Sequence, residues 1–168
     1  DADLLTKAVR RLKTGGGTKM FDAIQLACQE HLRKETRVRR VLVLISDGDD
    51  NMSFEVLSST IEAAQRAEVA IYAISTNTSG FFGMSAPKND KVLKRLAEET
   101  GGRAFFPAKS DEMAVNFQDI SLELRNQYSL AYRPANRQRD GSFRSIKINT
   151  TRKDAKTFHR KGYYAPPG

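Results

Sequence analysis

The stretch "VLVLISDGDDNMS", residues 41–53, decides the fold. Its apolar run, residues 41–45, is too short for a helix and rich in β-branched side chains, which predicts a strand buried on both faces of a sheet. Asp47, Asp49 and Asp50 follow at once. A buried strand that ends in carboxylates suits a metal site, a catalytic acid or a solvated turn, and the stretch alone leaves these three interpretations open.

The rest of the first 127 residues alternates between helical and strand-like apolar patterns. Helices are predicted around 4–12, 21–32, 54–64, 90–100 and 113–124, and further strands at 69–74 and 104–106. Ser53 and Ser110 are predicted N-caps, and Gly101 is a predicted C-cap. Alternation of strand and helix predicts a Rossmann-like three-layer α/β architecture, a parallel sheet with helices on both faces.

The pattern changes after Gln127, where apolar residues alternate with polar ones. Such alternation at Tyr128, Leu130 and Tyr132, at Ile146 and Ile148, and around Phe158 predicts three short antiparallel strands. We therefore expect an α/β domain over residues 1–127 and a small β-strand appendage, residues 128–168, packed on it.

The net charge of +8 is concentrated near the C-terminus. Residues 133–161 hold ten basic and two acidic residues, whereas the rest of the chain is balanced. Such charges either protect the edge of a small sheet or form a basic patch for an anionic surface. No recognised nucleic-acid motif accompanies them, so we expect no specific nucleic-acid partner.

Few motifs of enzyme chemistry occur. Cys28 is the only cysteine, which excludes a disulfide framework and a cysteine-based zinc site. A P-loop, a Gly-x-Ser-x-Gly elbow and a His-Glu-x-x-His pair are absent, and His31 and His159 stand far apart. We predict a non-enzymatic module. The alternatives are a Mg²⁺-dependent phosphoryl hydrolase, because strand-end carboxylates also hold catalytic Mg²⁺, and a structural module without metal. No apolar run approaches the ~18 residues of a membrane span.

Several motifs together resemble the von Willebrand factor type A domain. These are "GGGTKMFDAI" at residues 15–24, the strand ending in Ser-Asp-Gly at 46–48, and "LAEETGGRAFF" at 96–106. The ending that begins "LRNQYSLAYRP" at residue 124 is similar to a narrower group, bacterial von Willebrand type A-related proteins of the acidobacterial type.

The resemblance implies a metal-ion-dependent adhesion site that binds Mg²⁺ or Mn²⁺. In the family an Asp-x-Ser-x-Ser turn, a threonine and a strand-end aspartate hold the ion, and Thr18 and Asp47 match the last two. A partner's carboxylate would then complete the shell of a hard cation that prefers oxygen ligands. The Asp-x-Ser-x-Ser motif is absent from this sequence. We therefore expect the first strands of the fold to be missing beside residues 41–45, and no tight metal binding by this chain alone.

The resemblance also implies an adhesion-type function, a protein ligand with an exposed carboxylate, and a secreted, periplasmic or cell-envelope location. In the loop "NTSGFFGMSAP", residues 77–87, we predict that Phe81, Phe82 and Met84 form an apolar partner contact beside the metal. Packing of the two phenylalanines on the following helix is the alternative. The remaining acids near the site, Asp22, Asp49 and Asp50, are interpreted as a helix-dipole residue and a solvated turn.

Overall fold

The structure is a computed structural model that describes residues 2–13, 15–32, 39–77, 88–109 and 111–168. Its elements alternate between helix and strand up to residue 125. In chain order they are α1 (Ala2–Arg10), α2 (Met20–Leu26) with a π-helical continuation (Ala27–His31), β1 (Arg40–Ser46), α3 (Leu57–Arg66), β2 (Val69–Ser75), α4 (Lys88–Thr100), β3 (Ala104–Phe105), α5 (Glu112–Arg125), β4 (Phe143–Ser145) and β5 (Gly162–Tyr164).

A parallel sheet of three strands, in the order β1-β2-β3, forms the centre of the fold. The β1–β2 ladder runs from Arg40 opposite Val69 to Ser46 opposite Ser75. Both strands therefore end at the same edge, called here the carboxyl edge. The predicted parallel sheet is confirmed.

Helices cover both faces of the sheet because β2 is apolar on both sides. Its residues Val69, Ile71 and Ala73 pack with apolar residues of α2, α3 and α4. The alternate residues Tyr72 and Ile74 face the opposite way and pack with β3 and α5. Side chains alternate across a strand, so each face of β2 joins a separate apolar cluster. The predicted three-layer arrangement is confirmed.

Strand β1 departs from the prediction that it is buried on both faces. Val43 is 40% exposed and Ile45 is 49% exposed. These two side chains lie on the α5 side of the sheet, but α5 packs over β2 and β3 instead. In the described ranges β2 is the only strand that pairs with β1, so β1 forms an edge, as expected if a neighbouring strand is missing.

Two of the predicted helical faces are also partly wrong. The helix after the acidic turn begins at Leu57 with Val56 at its N-cap position, and Phe54, predicted to point inward, is 89% exposed. In α5, Ile120 is buried as predicted, but Phe117 is 43% exposed. Ser110, the predicted cap of that helix, lies outside the described residues.

Helix α1 forms where apolar spacing predicts it. Its apolar stripe is nevertheless exposed, and the following residue of the same pattern is too. The stripe consists of Leu4, Leu5 and Val9, and the following residue is Leu12. Spacing therefore predicted the helix but not what lies against it.

The C-terminal segment forms a separate antiparallel sheet of two strands rather than three. Strands β4 and β5 pair from Phe143 opposite Tyr164 to Ser145 opposite Gly162. Residues 128–132 form no strand, and Tyr128 is 94% exposed, because alternation gives a strand only where a partner strand is available.

The small sheet contacts the main domain through α3 and the end of α4. The guanidinium of Arg66 lies 3.9 Å from the ring centre of Tyr164. The amide of Lys161 donates to the carbonyl of Glu99 at 3.3 Å. The division into residues 1–127 and 128–168 remains a proposal.

Candidate functional site

The glycine loop that carries Thr18 lies against the acidic turn after β1. The amide of Thr18 donates to Oδ1 of Asn51 at 2.9 Å. In return, the carbonyl of Thr18 accepts hydrogen bonds from the amides of Asn51 and Met52 at 3.2 and 3.1 Å. Since Asp47 lies four residues before Asn51 in this turn, the structure places the two predicted site residues on adjoining loops.

Two glycines of the site lie close to neighbouring groups. A Cβ on Gly17 would lie 2.3 Å from the sulfur of Met52 and 2.5 Å from Oδ1 of Asn51. Gly48 has a positive φ of 77°, and a Cβ there would lie 2.4 Å from the carbonyl oxygen of Asn89. Both glycines therefore permit contacts that a larger residue would push apart.

Asp50 joins the turn to the start of α2. Helix α2 has no side-chain cap of its own, so its first amides need acceptors from elsewhere. The carboxylate of Asp50 accepts the Phe21 amide at 2.8 Å, and also the Ser53 amide at 3.0 Å and hydroxyl at 2.7 Å. Asp50 thus caps α2 from a different part of the chain, and its interpretation as a solvated turn is wrong.

The pKa of Asp50 reflects these contacts. Partial burial by itself would raise the pKa, but the hydrogen bonds from Phe21, Ser53 and Met52 outweigh it, and the pKa lies below its usual value. Donated hydrogen bonds favour the ionised carboxylate. Asp50 is therefore negative at neutral pH, next to the positive end of the α2 dipole.

Asp22 and Ser53 form a second, reciprocal link between the same loops. The Asp22 amide donates to Oγ of Ser53 at 3.1 Å. Oδ1 of Asp22 accepts the amides of Phe54 and Glu55, each at 3.0 Å. Ser53 was predicted to cap the helix that follows it, but it accepts a hydrogen bond from α2 instead. Asp22 does not only complement a helix dipole, because it also accepts backbone amides of the acidic turn.

Thr18 and Asp47 leave oxygen atoms available at the surface. Both residues are exposed. Oδ1 of Asp47 accepts the amide of Asp49 at 3.0 Å, which fixes the turn. In the part of the chain that the structure describes, no group hydrogen-bonds to the hydroxyl of Thr18. The exposed Asp49 agrees with the interpretation of a solvated residue.

A buried acid that the sequence reasoning missed also lies at the carboxyl edge. Asp90, in the first turn of α4, is only 8% exposed. Its Oδ1 accepts the Ser75 hydroxyl and the Asn77 side-chain amide, each at 2.8 Å. Asn77 also donates to the carbonyl of Asp47 at 2.8 Å. Asp90 does not directly follow a strand, where a site acid is expected, but lies at the start of a helix. The sequence signal for it is its position in the first turn of a predicted helix.

The donors present suit part of a Mg²⁺ or Mn²⁺ shell. A carboxylate and a hydroxyl are the oxygen ligands that hard cations take. Among the described residues, no group of three or more His, Cys, Asp or Glu side chains is arranged to hold a metal ion. Thr18 and Asp47 would hold one side of an ion, and further oxygen ligands would have to complete its shell.

The predicted apolar contact next to this edge involves Phe81, Phe82 and Met84. All three lie outside the described residues. Asn77, four residues before Phe81, is described, and its side-chain amide donates to the Asp47 carbonyl at 2.8 Å.

Comparisons with known proteins cover solved structures, curated proteins and family models. A solved structure from Vibrio fischeri, described as an uncharacterized membrane spanning protein, is 22% identical over 73% of this chain and 67% of its own, with a TM-score of 0.42. A search of curated proteins gives no match. Within the described ranges, none of the helices has the length and apolar character needed to cross a bilayer. The family model of the von Willebrand factor type A domain matches residues 1–121, and this chain belongs to that family.

Proposed function

We propose that this chain is a non-enzymatic binding module that takes part in divalent-metal-dependent recognition of an acidic group on a protein partner. Domains of its family generally mediate protein–protein interaction and adhesion, often with a metal ion, and are typically non-enzymatic. The observation that carries the proposal is the pairing of the Thr18 loop with the Asp47 turn at the carboxyl edge. Ligand sites of open α/β sheets lie at this edge.

Each residue has a distinct part in this proposal. Thr18 offers a neutral hydroxyl oxygen, and Asp47 offers a carboxylate. Asp50 and Asp22 hold the two loops together by accepting hydrogen bonds from backbone amides. A bound Mg²⁺ or Mn²⁺ would supply a positive centre for the partner's carboxylate, since such ions keep exchangeable water positions.

The location and the rim contact belong to the same proposal. Domains of this family are often extracellular, and we propose a secreted, periplasmic or cell-envelope location. Phe81, Phe82 and Met84 would add an apolar contact beside the metal. The hydrogen bond from the Asn77 side chain to the Asp47 carbonyl supports a position of this loop beside Asp47. Replacing both phenylalanines by serine should weaken partner binding while leaving thermal stability nearly unchanged; a large loss of stability would show that they are packed in the core.

Calorimetric titration with Mn²⁺ tests the metal part. We expect no tight binding by the 168-residue chain, because two ligands do not compensate for loss of the ion's hydration shell. A longer form that includes an upstream Asp-x-Ser-x-Ser turn should bind. In that form Thr18→Ala and Asp47→Ala should each weaken binding by roughly tenfold or more, judged from losses on removing metal-site groups.

Matched controls separate ligands from general surface effects. Thr76 is exposed just beyond β2, and Asp111 is exposed at the N-cap position of α5, so Thr76→Ala and Asp111→Ala remove the same groups from other exposed positions. Equal losses in the controls, or a longer form that binds Mn²⁺ no better than this chain, would contradict metal-dependent recognition. The fold and the loop pairing would stand unchanged.

A Mg²⁺-dependent phosphoryl hydrolase is the second candidate, and Asp90 is the observation in its favour. It brings another carboxylate to the edge that holds Asp47. However, Oδ1 of Asp90 is engaged by Ser75 and Asn77, which indicates a structural acceptor. Release of phosphate from an aryl phosphate with Mg²⁺, abolished by Asp47→Asn, would favour the enzyme.

The basic segment, residues 133–161, is proposed as a separate contact with an anionic surface. If it acts in this way, binding to anionic vesicles must weaken steeply as salt increases. Single-stranded DNA serves as the comparison polyanion. Lack of binding to either polyanion at low salt would indicate that these charges only protect the edge of the small sheet.

A further inference from the structure

Part of the basic segment, residues 133–161, lines a pocket beside β5. Its volume is about 350 Å³. Four arginines and a mostly apolar floor of two prolines, Tyr163 and Ala165 line it; the arginines are Arg133, Arg137, Arg139 and Arg144. We call it the arginine pocket. Its volume is within the range of sites that bind small molecules.

Arg144 builds the wall of the arginine pocket. Its side chain is only 13% exposed. It donates to the carbonyl of Asn136 and, at 2.5 Å, to the carbonyl of Gln138, so it holds the preceding turn in place. Its Nε–H is buried and makes no hydrogen bond within the described protein. A buried donor without an acceptor is costly, and the remaining hydrogen bonds of Arg144 fix the shape of the pocket wall.

The other three arginines carry charges that the described protein does not neutralise. No ion pair or hydrogen bond engages the guanidinium groups of Arg133, Arg137 or Arg139 in the described part of the chain. Asp140 is the only acid between residues 133 and 144. Hydrogen bonds from Ser142 lower its pKa, and its carboxylate is already shared with Ser142 and Arg144.

These features together indicate which class of ligand the arginine pocket would bind. Arginine presents a planar fork that binds phosphate or carboxylate oxygens in pairs. Three unpaired charges around one pocket favour a doubly charged phosphate over a singly charged carboxylate. The floor of Tyr163 and Ala165 adds an apolar surface that inorganic phosphate would not use.

We propose that the arginine pocket binds a phosphate monoester group attached to a small apolar body. The inference deepens the proposed anionic contact of residues 133–161 and is independent of the metal-dependent one. A soluble organic phosphate and the headgroup of phosphatidic acid share this chemistry. In the protein, the arginines take the phosphate, and the apolar body lies against Tyr163.

Phenyl phosphate is the probe for the soluble form, with phenol as the uncharged comparison. Binding is measured by calorimetry and by shifts of backbone amide resonances in β5 and residues 133–139. The pocket variant combines Arg137→Gln with Arg139→Gln. Its matched control combines Lys147→Gln with Lys153→Gln, which removes the same charge from exposed positions of the same segment outside the pocket.

We expect phenyl phosphate to bind the native chain and phenol not to bind. The pocket variant should lose roughly tenfold or more in affinity, and the control should lose less than about twofold, since charge-assisted hydrogen bonds are short-ranged. Affinity should fall as the pH drops below about 6, where the phosphate dianion takes up one proton and becomes a monoanion. Equal losses in the two variants would overturn the pocket and leave only a diffuse basic surface.

Vesicles distinguish the lipid source. Phosphatidic acid carries a phosphate monoester, whereas phosphatidylglycerol carries a diester of lower charge, so it serves as the comparison. Preferential binding to phosphatidic acid vesicles, lost in the pocket variant and kept in the control, would support the pocket with a lipid as its ligand. Absence of pocket-dependent binding to both phenyl phosphate and these vesicles would overturn the inference.

Discussion

Replacing Asp50 by alanine tests how the site is held together. The substitution removes one carboxylate that accepts the amides of Phe21 and Ser53 and the hydroxyl of Ser53. Among the described residues, the one other side chain that accepts a first-turn amide of α2 is Ser53, which accepts the amide of Asp22. The described packing of the apolar core is untouched, because Asp50 belongs to neither apolar cluster.

The expected loss of stability follows from these three hydrogen bonds. Loss of a helix cap costs about 0.5–2 kcal/mol, and a hydrogen bond to a charged group contributes about 1.5–3 kcal/mol. Water can reach the half-buried site and replace part of this, so we expect about 2 kcal/mol. For a chain of 168 residues this corresponds to a fall in Tm of about 4–8 °C.

The effect should depend on pH in a defined direction. The pKa of Asp50 in the folded protein lies below its usual value, so ionised Asp50 stabilises the folded state. The contribution is fully present above the unfolded pKa of about 4 and disappears as the pH falls through the lower folded pKa. The stability difference between native protein and Asp50→Ala should therefore be constant near neutral pH and shrink in acid.

Urea unfolding followed by circular dichroism measures the difference, with Asp49→Ala as the matched control. Asp49 is the neighbouring acid and is exposed, so its replacement should cost less than about 0.5 kcal/mol. Hydrogen exchange of the Phe21 amide gives a local measurement and should accelerate only in Asp50→Ala. Equal stability of the two variants, with unchanged exchange at Phe21, would refute the role assigned to Asp50.

Two further predictions concern the core. Gly102→Ala should destabilise the fold by about 2 kcal/mol or more in thermal unfolding, because the added Cβ would lie 2.0 Å from the backbone oxygen of Ile71. Gly15→Ala is the control and should be nearly neutral, because a Cβ there meets nothing within 4 Å. Burial raises the pKa of the Cys28 thiol to about 11, so a disulfide reagent should modify it at about pH 8 only after unfolding; rapid reaction with native protein would contradict its burial.

The carboxyl edge shows why part of the site escaped prediction. Asp47 and Thr18 were identified through a resemblance between short motifs, which local sequence preserves. Asp50, Asp22 and Asp90 could not be assigned in this way. Their hydrogen bonds join residues 29, 33 and 15 positions apart, respectively, so the acceptor's role depends on which loop the fold brings opposite it.

The sequence by itself determined the order and type of the main elements, because apolar spacing and chain breakers act within one element. Residues 69–75 and 88–100 became the buried strand and the helix that their patterns predict. Only the tertiary structure decided which predicted apolar faces are covered. Ile45 is half-exposed and Tyr128 almost fully exposed, although both belong to strand-like patterns. An apolar pattern shows that a face can be buried, but burial also requires a neighbouring element. Here the placement of α5 and the pairing of the strands decide which faces have such a neighbour.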